Sequence, residues 1–195
     1  MGLPLSLVQG WNLVGNSLGA ALDVASAFGD ATKVATVWKW NTVTGKWALF
    51  APSLTAQALA DYAAGKGYEV LTTLYAGDGF WVNATSALTA SLPPGAPVTA
   101  STFQTMASGW NLIAVGESPT PSAFNKALSL TPPATGDIPA NMATLWAWDS
   151  TQSNWYFYAP SLEKSGGLAS YITSKNYLSF GTKALGPSTG FWVNR

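Results

Sequence analysis

In two stretches of the chain, tryptophan and other large apolar side chains alternate with smaller or polar side chains. The stretches are residues 34–52, VATVWKWNTVTGKWALFAP, and residues 142–160, MATLWAWDSTQSNWYFYAP. A period of two places successive side chains on opposite faces of a β-strand. A short polar run divides each stretch, and in the first it contains Gly45, which can adopt positive φ. Each stretch therefore predicts an antiparallel hairpin.

The first hairpin has a predictable register. If the polar run forms the turn, Trp40 lies opposite Trp47 and Trp38 lies opposite Leu49. Cross-strand aromatic pairs contribute roughly 0.2–1 kcal/mol each, so they help to fix the register. The three tryptophans share one face, and the other face is also largely apolar. A sheet that is apolar on both faces needs cover on both.

The same pattern extends over the whole chain, and all ten tryptophans recur in pairs. The pairs are Trp11 with Trp110, Trp38 with Trp146, Trp40 with Trp148, Trp47 with Trp155, and Trp81 with Trp192. We predict two homologous modules, residues 1–92 and 98–195, joined by the proline-rich linker 93–97, which is stiff enough to restrict their relative orientation. Each module reads β-α-β-β-α-β-β. This order predicts an α+β fold with a mostly antiparallel sheet, a central tryptophan-rich hairpin and two short helices.

The second helix and the strand after it can be placed more closely. We expect a helix from about Thr55 to Gly65 that ends at Gly67, because glycine tolerates the left-handed conformation that closes a helix. Asn176 stands at the equivalent place in the second copy, and asparagine tolerates the same conformation. Residues 68–74, YEVLTTL, then predict one continuous strand.

Composition narrows the possible functions. Charged residues make up 9% of the chain and the formal net charge is zero, whereas about 25% is typical of soluble domains. Nucleic acid is not expected as a partner, because phosphate binding needs clustered Lys and Arg. No apolar run is long enough to predict a transmembrane helix. Few charges and no cysteine suit a secreted or cell-surface protein.

The chain offers little for catalysis. It contains no cysteine and no histidine, which excludes thiol nucleophiles, histidine general bases and the usual zinc sites. The acidic residues do not recur between the copies, so that Asp78, for example, corresponds to Thr189. We therefore expect no enzyme activity, no catalytic residues, no metal site and no cofactor. A hydrolase remains an alternative if two of Asp78, Glu117 and Asp149 approach within about 5–10 Å.

The tryptophans support two interpretations. Aromatic faces stack on sugar rings, so the hairpins could form a carbohydrate-binding surface made of Trp38, Trp40, Trp47, Trp146, Trp148 and Trp155. The other interpretation is that most of the tryptophans form the hydrophobic core, since each buries about 150–250 Å². We expect Trp11 and Trp81, with their copies Trp110 and Trp192, to be core residues. At most one or two of the hairpin tryptophans should be exposed.

Several motifs resemble those of a repeat module of secreted and cell-surface proteins in bacteria and archaea, written as a GWN to GFWV or GYWV domain. They are Gly-Trp-Asn-Leu at residues 10 and 109, Trp-x-Trp in the middle, Ala-Pro-Ser-Leu, and Gly-Phe-Trp-Val-Asn at residues 79 and 190. The resemblance covers both copies. It implies a non-enzymatic extracellular role in surface architecture, adhesion or matrix.

The first functional hypothesis is accordingly a structural or adhesive building block of a cell surface, matrix or filament, with other surface proteins or its own copies as partners. Low charge and tandem copies suit such stacking. The alternative is a carbohydrate-binding module that uses the hairpin tryptophans, with a polysaccharide as partner.

Overall fold

The computed structural model describes residues 2–195. We call residues 2–92 the N-terminal half and residues 98–195 the C-terminal half. The elements of the N-terminal half are β1 (Leu3–Leu7), β2 (Gly10–Gly15), β3 (Leu22–Asp23), α1 (Val24–Phe28), β4 (Val34–Asn41), β5 (Lys46–Phe50), α2 (Ala56–Lys66), β6 (Glu69–Val70), β7 (Thr73–Leu74), β8 (Gly79–Ala84) and β9 (Leu88–Leu92). Those of the C-terminal half are a 3-10 turn (Ala100–Phe103), β10 (Trp110–Ala114), α3 (Pro121–Ala127), β11 (Thr144–Asp149), β12 (Asn154–Tyr158), α4 (Pro160–Ser165), α5 (Leu168–Ser174), β13 (Leu178–Ser179) and β14 (Gly190–Asn194).

Each half is built on a five-stranded sheet, and the two sheets have equivalent strand orders. The first sheet runs β2-β8-β4-β5-β6 and the second runs β10-β14-β11-β12-β13. Pairing is antiparallel except between β5 and β6 and between β12 and β13. The predicted α+β class with a mostly antiparallel sheet is confirmed.

The predicted hairpin register is also confirmed. Trp40 pairs with Trp47, and Trp38 pairs with Leu49. In the second sheet Trp148 pairs with Trp155 in the same way. The cross-strand tryptophan rings pack edge to face, with centroids 5.4 Å apart in the first hairpin and 5.0 Å apart in the second. This geometry is one of the two that aromatic pairs prefer.

The two faces of each sheet have different cover. In the first sheet, Val37, Ala48 and Val82 are buried in a core that the β1–β9 pair and α1 close. The second sheet buries Leu145 and Phe191 in an equivalent core, which the 3-10 turn and α3 close. The opposite face of each sheet carries the tryptophans. A helix covers only part of that face, through Leu59 of α2 in the first half and Ile172 of α5 in the second.

Three local predictions were incomplete. Strand β1 was missed, although Leu3, Leu5 and Leu7 alternate with other residues and Leu5 and Leu7 are buried. Residues 68–74 form two short strands, β6 and β7, which belong to different sheets. The second half has three helices where two were predicted: α5 is the counterpart of α2, and α4 is an additional short helix that ends at Gly166, at φ 75°. Gly67 at φ 73° and Asn176 at φ 57° confirm the expected positive φ.

The two halves contact each other through backbone as well as side chains. The Gly15 amide donates to the Ser188 carbonyl at 3.0 Å, and the equivalent Ala114 amide donates to the Gly77 carbonyl at 2.9 Å. Beside these bonds, Val14 bridges to Thr189, and Ile113 bridges to Asp78. The contacts are reciprocal, so the halves are related by an approximate two-fold axis.

Candidate functional site

The tryptophan faces of the two sheets pack against each other. Trp81 lies with its ring centroid 5.9 Å from that of Trp148 and 5.7 Å from that of Trp155. The equivalent Trp192 lies 6.5 Å from Trp40 and 5.8 Å from Trp47. The tryptophan face of each hairpin is therefore covered in part by the other half of the same chain.

Two hydrogen bonds fix this packing at equivalent places. The Trp40 indole Nε1 donates to the Trp110 carbonyl, and the Trp148 indole Nε1 donates to the Trp11 carbonyl, each at 3.0 Å. The Thr42 hydroxyl also donates to the Trp110 carbonyl at 2.9 Å. These bonds fix the positions of two of the ten indoles with respect to the opposite half.

The packing leaves two open pockets between the halves. Pocket A has a volume of about 490 Å³ and is lined by Trp11, Trp38, Trp47, Tyr68, Trp81, Trp148 and Trp155. Pocket B has a volume of about 530 Å³ and is lined by Trp40, Trp47, Trp110, Trp146, Trp155, Tyr177 and Trp192. Each pocket takes five residues from one half and two from the other, at equivalent positions. Every lining residue is a tryptophan or a tyrosine, and together the pockets use all ten tryptophans of the chain.

The walls carry polar groups that the protein does not use internally. Among the described residues, no hydrogen-bond acceptor is present for the indole N–H groups of Trp11, Trp47, Trp81, Trp110, Trp155 and Trp192 or for the hydroxyls of Tyr68 and Tyr177. The buried side-chain atoms without a partner are Asn16 Oδ1 and Asn125 Oδ1, both outside the pockets. The unused donors of the pocket walls are thus open to water, or to a ligand that displaces it.

The expectation that Trp11, Trp81 and their copies are core residues was wrong. Trp11 is 45% exposed and Trp110 is 44% exposed, while Trp81 and Trp192 are half-buried between the sheets. The reason is strand alternation: these residues point to the tryptophan face, whereas their neighbours Phe80 and Phe191 fill the cores at 0% exposure.

The six predicted site residues, Trp38, Trp40, Trp47, Trp146, Trp148 and Trp155, all line one or both pockets and are all half-buried. They are brought together as a facing pair of surfaces and not as one flat platform. The prediction missed the remaining lining residues, namely Trp11, Trp81, Trp110, Trp192, Tyr68 and Tyr177. The pairing of all ten tryptophans, and of Tyr68 with Tyr177, was the available signal.

The acids of the hydrolase hypothesis have separate structural partners. Asp78 binds the Lys39 ammonium at 2.6 Å and accepts from the Tyr75 amide at 2.6 Å. Glu117 accepts from the Ala100 amide at 2.8 Å. Among residues 2–195, no group of three or more acidic side chains is arranged to hold a metal ion.

Asp149 organises the turn of the second hairpin. Its carboxylate accepts hydrogen bonds from the Thr151 hydroxyl at 2.6 Å, from the amides of Thr151 and Gln152 at 3.0 Å each, and from the Tyr156 hydroxyl at 3.1 Å. The Thr151 hydroxyl above all, against the opposing effect of partial burial, lowers the pKa of Asp149 to about 2. The pKa of Tyr156 is raised by burial and by the Asp149 carboxylate.

Replacing Asp149 by asparagine should remove an acid-dependent part of the stability. A carboxyl whose pKa falls on folding stabilises the protein above its unfolded pKa of 3.8, and this stabilisation is lost as pH falls toward about 2. Allowing for solvent screening, we expect the wild type to lose about 1 kcal/mol more than Asp149→Asn between pH 5 and pH 2. Urea unfolding at a series of pH values measures this.

Asparagine should be tolerated at this position at neutral pH. Asn41, the equivalent residue of the first hairpin, accepts from the amides of Val43 and Thr44 at 3.1 and 3.3 Å. Parallel stability curves for the wild type and Asp149→Asn across the acid range would show that the carboxylate contributes nothing.

Comparisons with known proteins do not assign this chain to a family: no family model, no curated protein and no solved structure matches it. The GWN to GFWV resemblance thus stays an expectation from the sequence. Within residues 2–195, no helix combines the length and the apolar character that crossing a membrane requires. The class that fold and site define is an α+β protein with two aromatic pockets at an internal two-fold axis.

Proposed function

We propose that this chain is a non-enzymatic extracellular binding protein with an adhesive role, whose two aromatic pockets bind carbohydrate. The observation that carries the proposal is the composition of the pocket walls, which consist of tryptophan and tyrosine only and retain unused N–H and O–H donors. An aromatic face binds the C–H face of a sugar ring, and the donors at its edge bind the ring's hydroxyl oxygens.

The pocket volumes suit one saccharide segment each. Volumes of about 490 and 530 Å³ fall within the range of roughly 300–1,000 Å³ typical of small-molecule sites. A quaternary ammonium group, the other guest that aromatic walls bind well, is far smaller than either pocket. No carboxylate lines the walls to balance its charge. A segment of several sugar rings matches the volume of each pocket, and like the pocket walls it carries no charge.

The stacking geometry favours β-linked glucans among the possible carbohydrates. In β-1,4-linked glucose all hydroxyls are equatorial, so both faces of every ring are C–H surfaces. Rings with axial hydroxyls have one such face interrupted by a polar group. Trp38 and Trp47 meet edge to face, with their ring planes at 90°. One indole can then stack on a sugar ring while the other contacts the next sugar ring or a substituent of the first.

The proposal includes the domain organisation predicted from the sequence, with homologous modules at residues 1–92 and 98–195 and a linker at 93–97. The equivalent strand orders of the two sheets and the reciprocal contacts between them support this division. An extracellular location rests on the low charge, the lack of cysteine and the motif resemblance.

Self-assembly into a filament through the tryptophan faces is less well supported. Each face packs against the other within one chain, through Trp81 and Trp192, so neither is free to stack on a second copy. The mass of the protein measured over a wide range of concentration tests this: a monomer throughout would count against assembly.

Affinity electrophoresis tests carbohydrate binding. Because the sequence pI is about 6.1, the protein migrates as an anion at alkaline pH through gels that contain hydroxyethylcellulose, xylan, mannan or dextran. We expect strong retardation by hydroxyethylcellulose, accompanied by a shift in tryptophan fluorescence. Retardation should be least with mannan, whose rings carry an axial hydroxyl, and with dextran, whose rings carry an axial glycosidic oxygen.

Two variants make this test specific to the pockets. Trp11→Ala combined with Trp110→Ala removes the most exposed wall of each pocket and should abolish retardation. Val43→Ala, which alters a 90% exposed apolar side chain outside both pockets, should leave retardation unchanged. The proposal would be overturned if the wild type had the same mobility in all gels. It would also be overturned if the double tryptophan variant were retarded as strongly as Val43→Ala.

A further inference from the structure

The two pockets are equivalent in their walls and in the contacts that hold them. Trp81 contacts the rings of Trp148 and Trp155 in the opposite half. Its equivalent, Trp192, contacts the equivalent rings, Trp40 and Trp47. The two indole-to-carbonyl hydrogen bonds have the same length. A ligand that binds in one pocket therefore meets the same chemistry in the other.

Two tryptophans belong to both pockets. Trp47 and Trp155 line both of them, whereas every other lining residue belongs to one pocket only. The pockets thus adjoin at these two indoles, and each pocket has five further lining side chains of its own.

The approximate two-fold axis gives the pockets opposite senses. A polysaccharide has a reducing and a non-reducing end, so a segment that lies across the axis in one pocket runs antiparallel to the equivalent segment in the other. One continuous chain could fill both pockets only by reversing its direction between them. Two separate chains fill both without any such turn.

We propose that the protein is bivalent, with one saccharide segment in each pocket, so that one molecule cross-links two polysaccharide chains. This inference rests on the proposed function. It assigns the duplication a role: a single site gives binding, whereas a pair of opposed sites gives adhesion between chains. Binding of two linked sites to a polymer also raises the overall avidity.

Calorimetric titration with cellohexaose measures the number of sites. We expect two equivalent sites for the wild type. Trp11→Ala removes a wall of pocket A alone, and Trp110→Ala removes the matching wall of pocket B alone. Each single variant should bind one equivalent and the double variant none. Because both side chains are nearly half exposed, the variants should stay folded and keep a cooperative thermal unfolding transition.

Viscosity of a hydroxyethylcellulose solution measures cross-linking. The wild type should raise the viscosity, and each single variant should still be retarded in the gel but leave the viscosity unchanged. One binding site in the wild type, or undiminished viscosity with a single variant, would overturn bivalence while leaving carbohydrate binding intact. No binding of cellohexaose or of any polymer would instead overturn the proposed function.

Discussion

Gly190→Ala should destabilise the protein by at least about 3 kcal/mol, which is the upper end of the usual cost of overpacking. A Cβ at Gly190 would lie 2.1 Å from the carbonyl oxygen of Val14 and 2.7 Å from its carbonyl carbon. Both are backbone atoms of the opposite half, beside the Val14–Thr189 bridge. A side-chain rotation cannot relieve such a clash, so the two sheets must separate locally.

The equivalent glycine has the same role. A Cβ at Gly79 would lie 2.7 Å from the Ile113 carbonyl oxygen, so Gly79→Ala should also destabilise the protein. Urea unfolding followed by tryptophan fluorescence measures the change in free energy. Gly65→Ala is the control, because Gly65 lies in α2 with no atom within 4 Å of the added Cβ. It should stabilise the protein by about 0.5–1 kcal/mol.

If the free energy of unfolding of Gly190→Ala were within 1 kcal/mol of the wild-type value, the two halves would not be held as closely as the Gly190–Val14 contact indicates. The mutation would then have to be absorbed by small movements of one sheet over the other. A loss confined to ligand binding, with unchanged stability, would lead to the same conclusion. Both outcomes would contradict a rigid contact at this strand end.

Trp192→Ala should cost about 3 kcal/mol, the lower end of the range for replacing a buried tryptophan, because the side chain is only half-buried. Its ring contacts Trp110 in its own half at 6.0 Å and Trp40 and Trp47 in the other half at 6.5 and 5.8 Å. Removing it leaves a gap between the sheets that the remaining indoles cannot fill. Thermal unfolding followed by circular dichroism measures the loss.

Trp110→Ala is the graded control for this prediction. Trp110 is 44% exposed and makes one of the ring contacts of Trp192. Its carbonyl accepts from Trp40 and would remain in the variant, so we expect a loss of about 1 kcal/mol. Equal losses for the two variants would mean that Trp192 adds nothing between the sheets, contrary to its position.

The packing of the halves explains how a chain with few charges keeps its apolar surface covered. Both faces of each sheet are apolar, and only one is closed by elements of the same half. The second face finds its cover in the other copy, which is a surface of the same kind and hence complementary under a two-fold rotation. The large exposed apolar patches that would favour aggregation are thereby reduced to the two pockets.

Much of the local structure could be predicted from the sequence because it depends on neighbouring residues. The hairpin register follows from strand alternation and from tryptophans placed symmetrically about a turn, and Trp40 does pair with Trp47. The end of α2 at Gly67 follows from the conformational freedom of glycine. The β1–β9 pair was not found, since it joins segments more than eighty residues apart whose only signal is alternating leucines.

The sequence by itself determined the α+β class, the register of the central hairpin and six of the twelve side chains that line the pockets. Only the tertiary structure decided which side of each sheet forms the core. Phe80 and Trp81 are adjacent and both apolar, yet one is buried and the other lines a pocket. Whether a tryptophan face becomes core, free surface or pocket wall depends on what packs against it. Here that cover comes from residues between 67 and 152 positions away in the chain, beyond the reach of any local pattern.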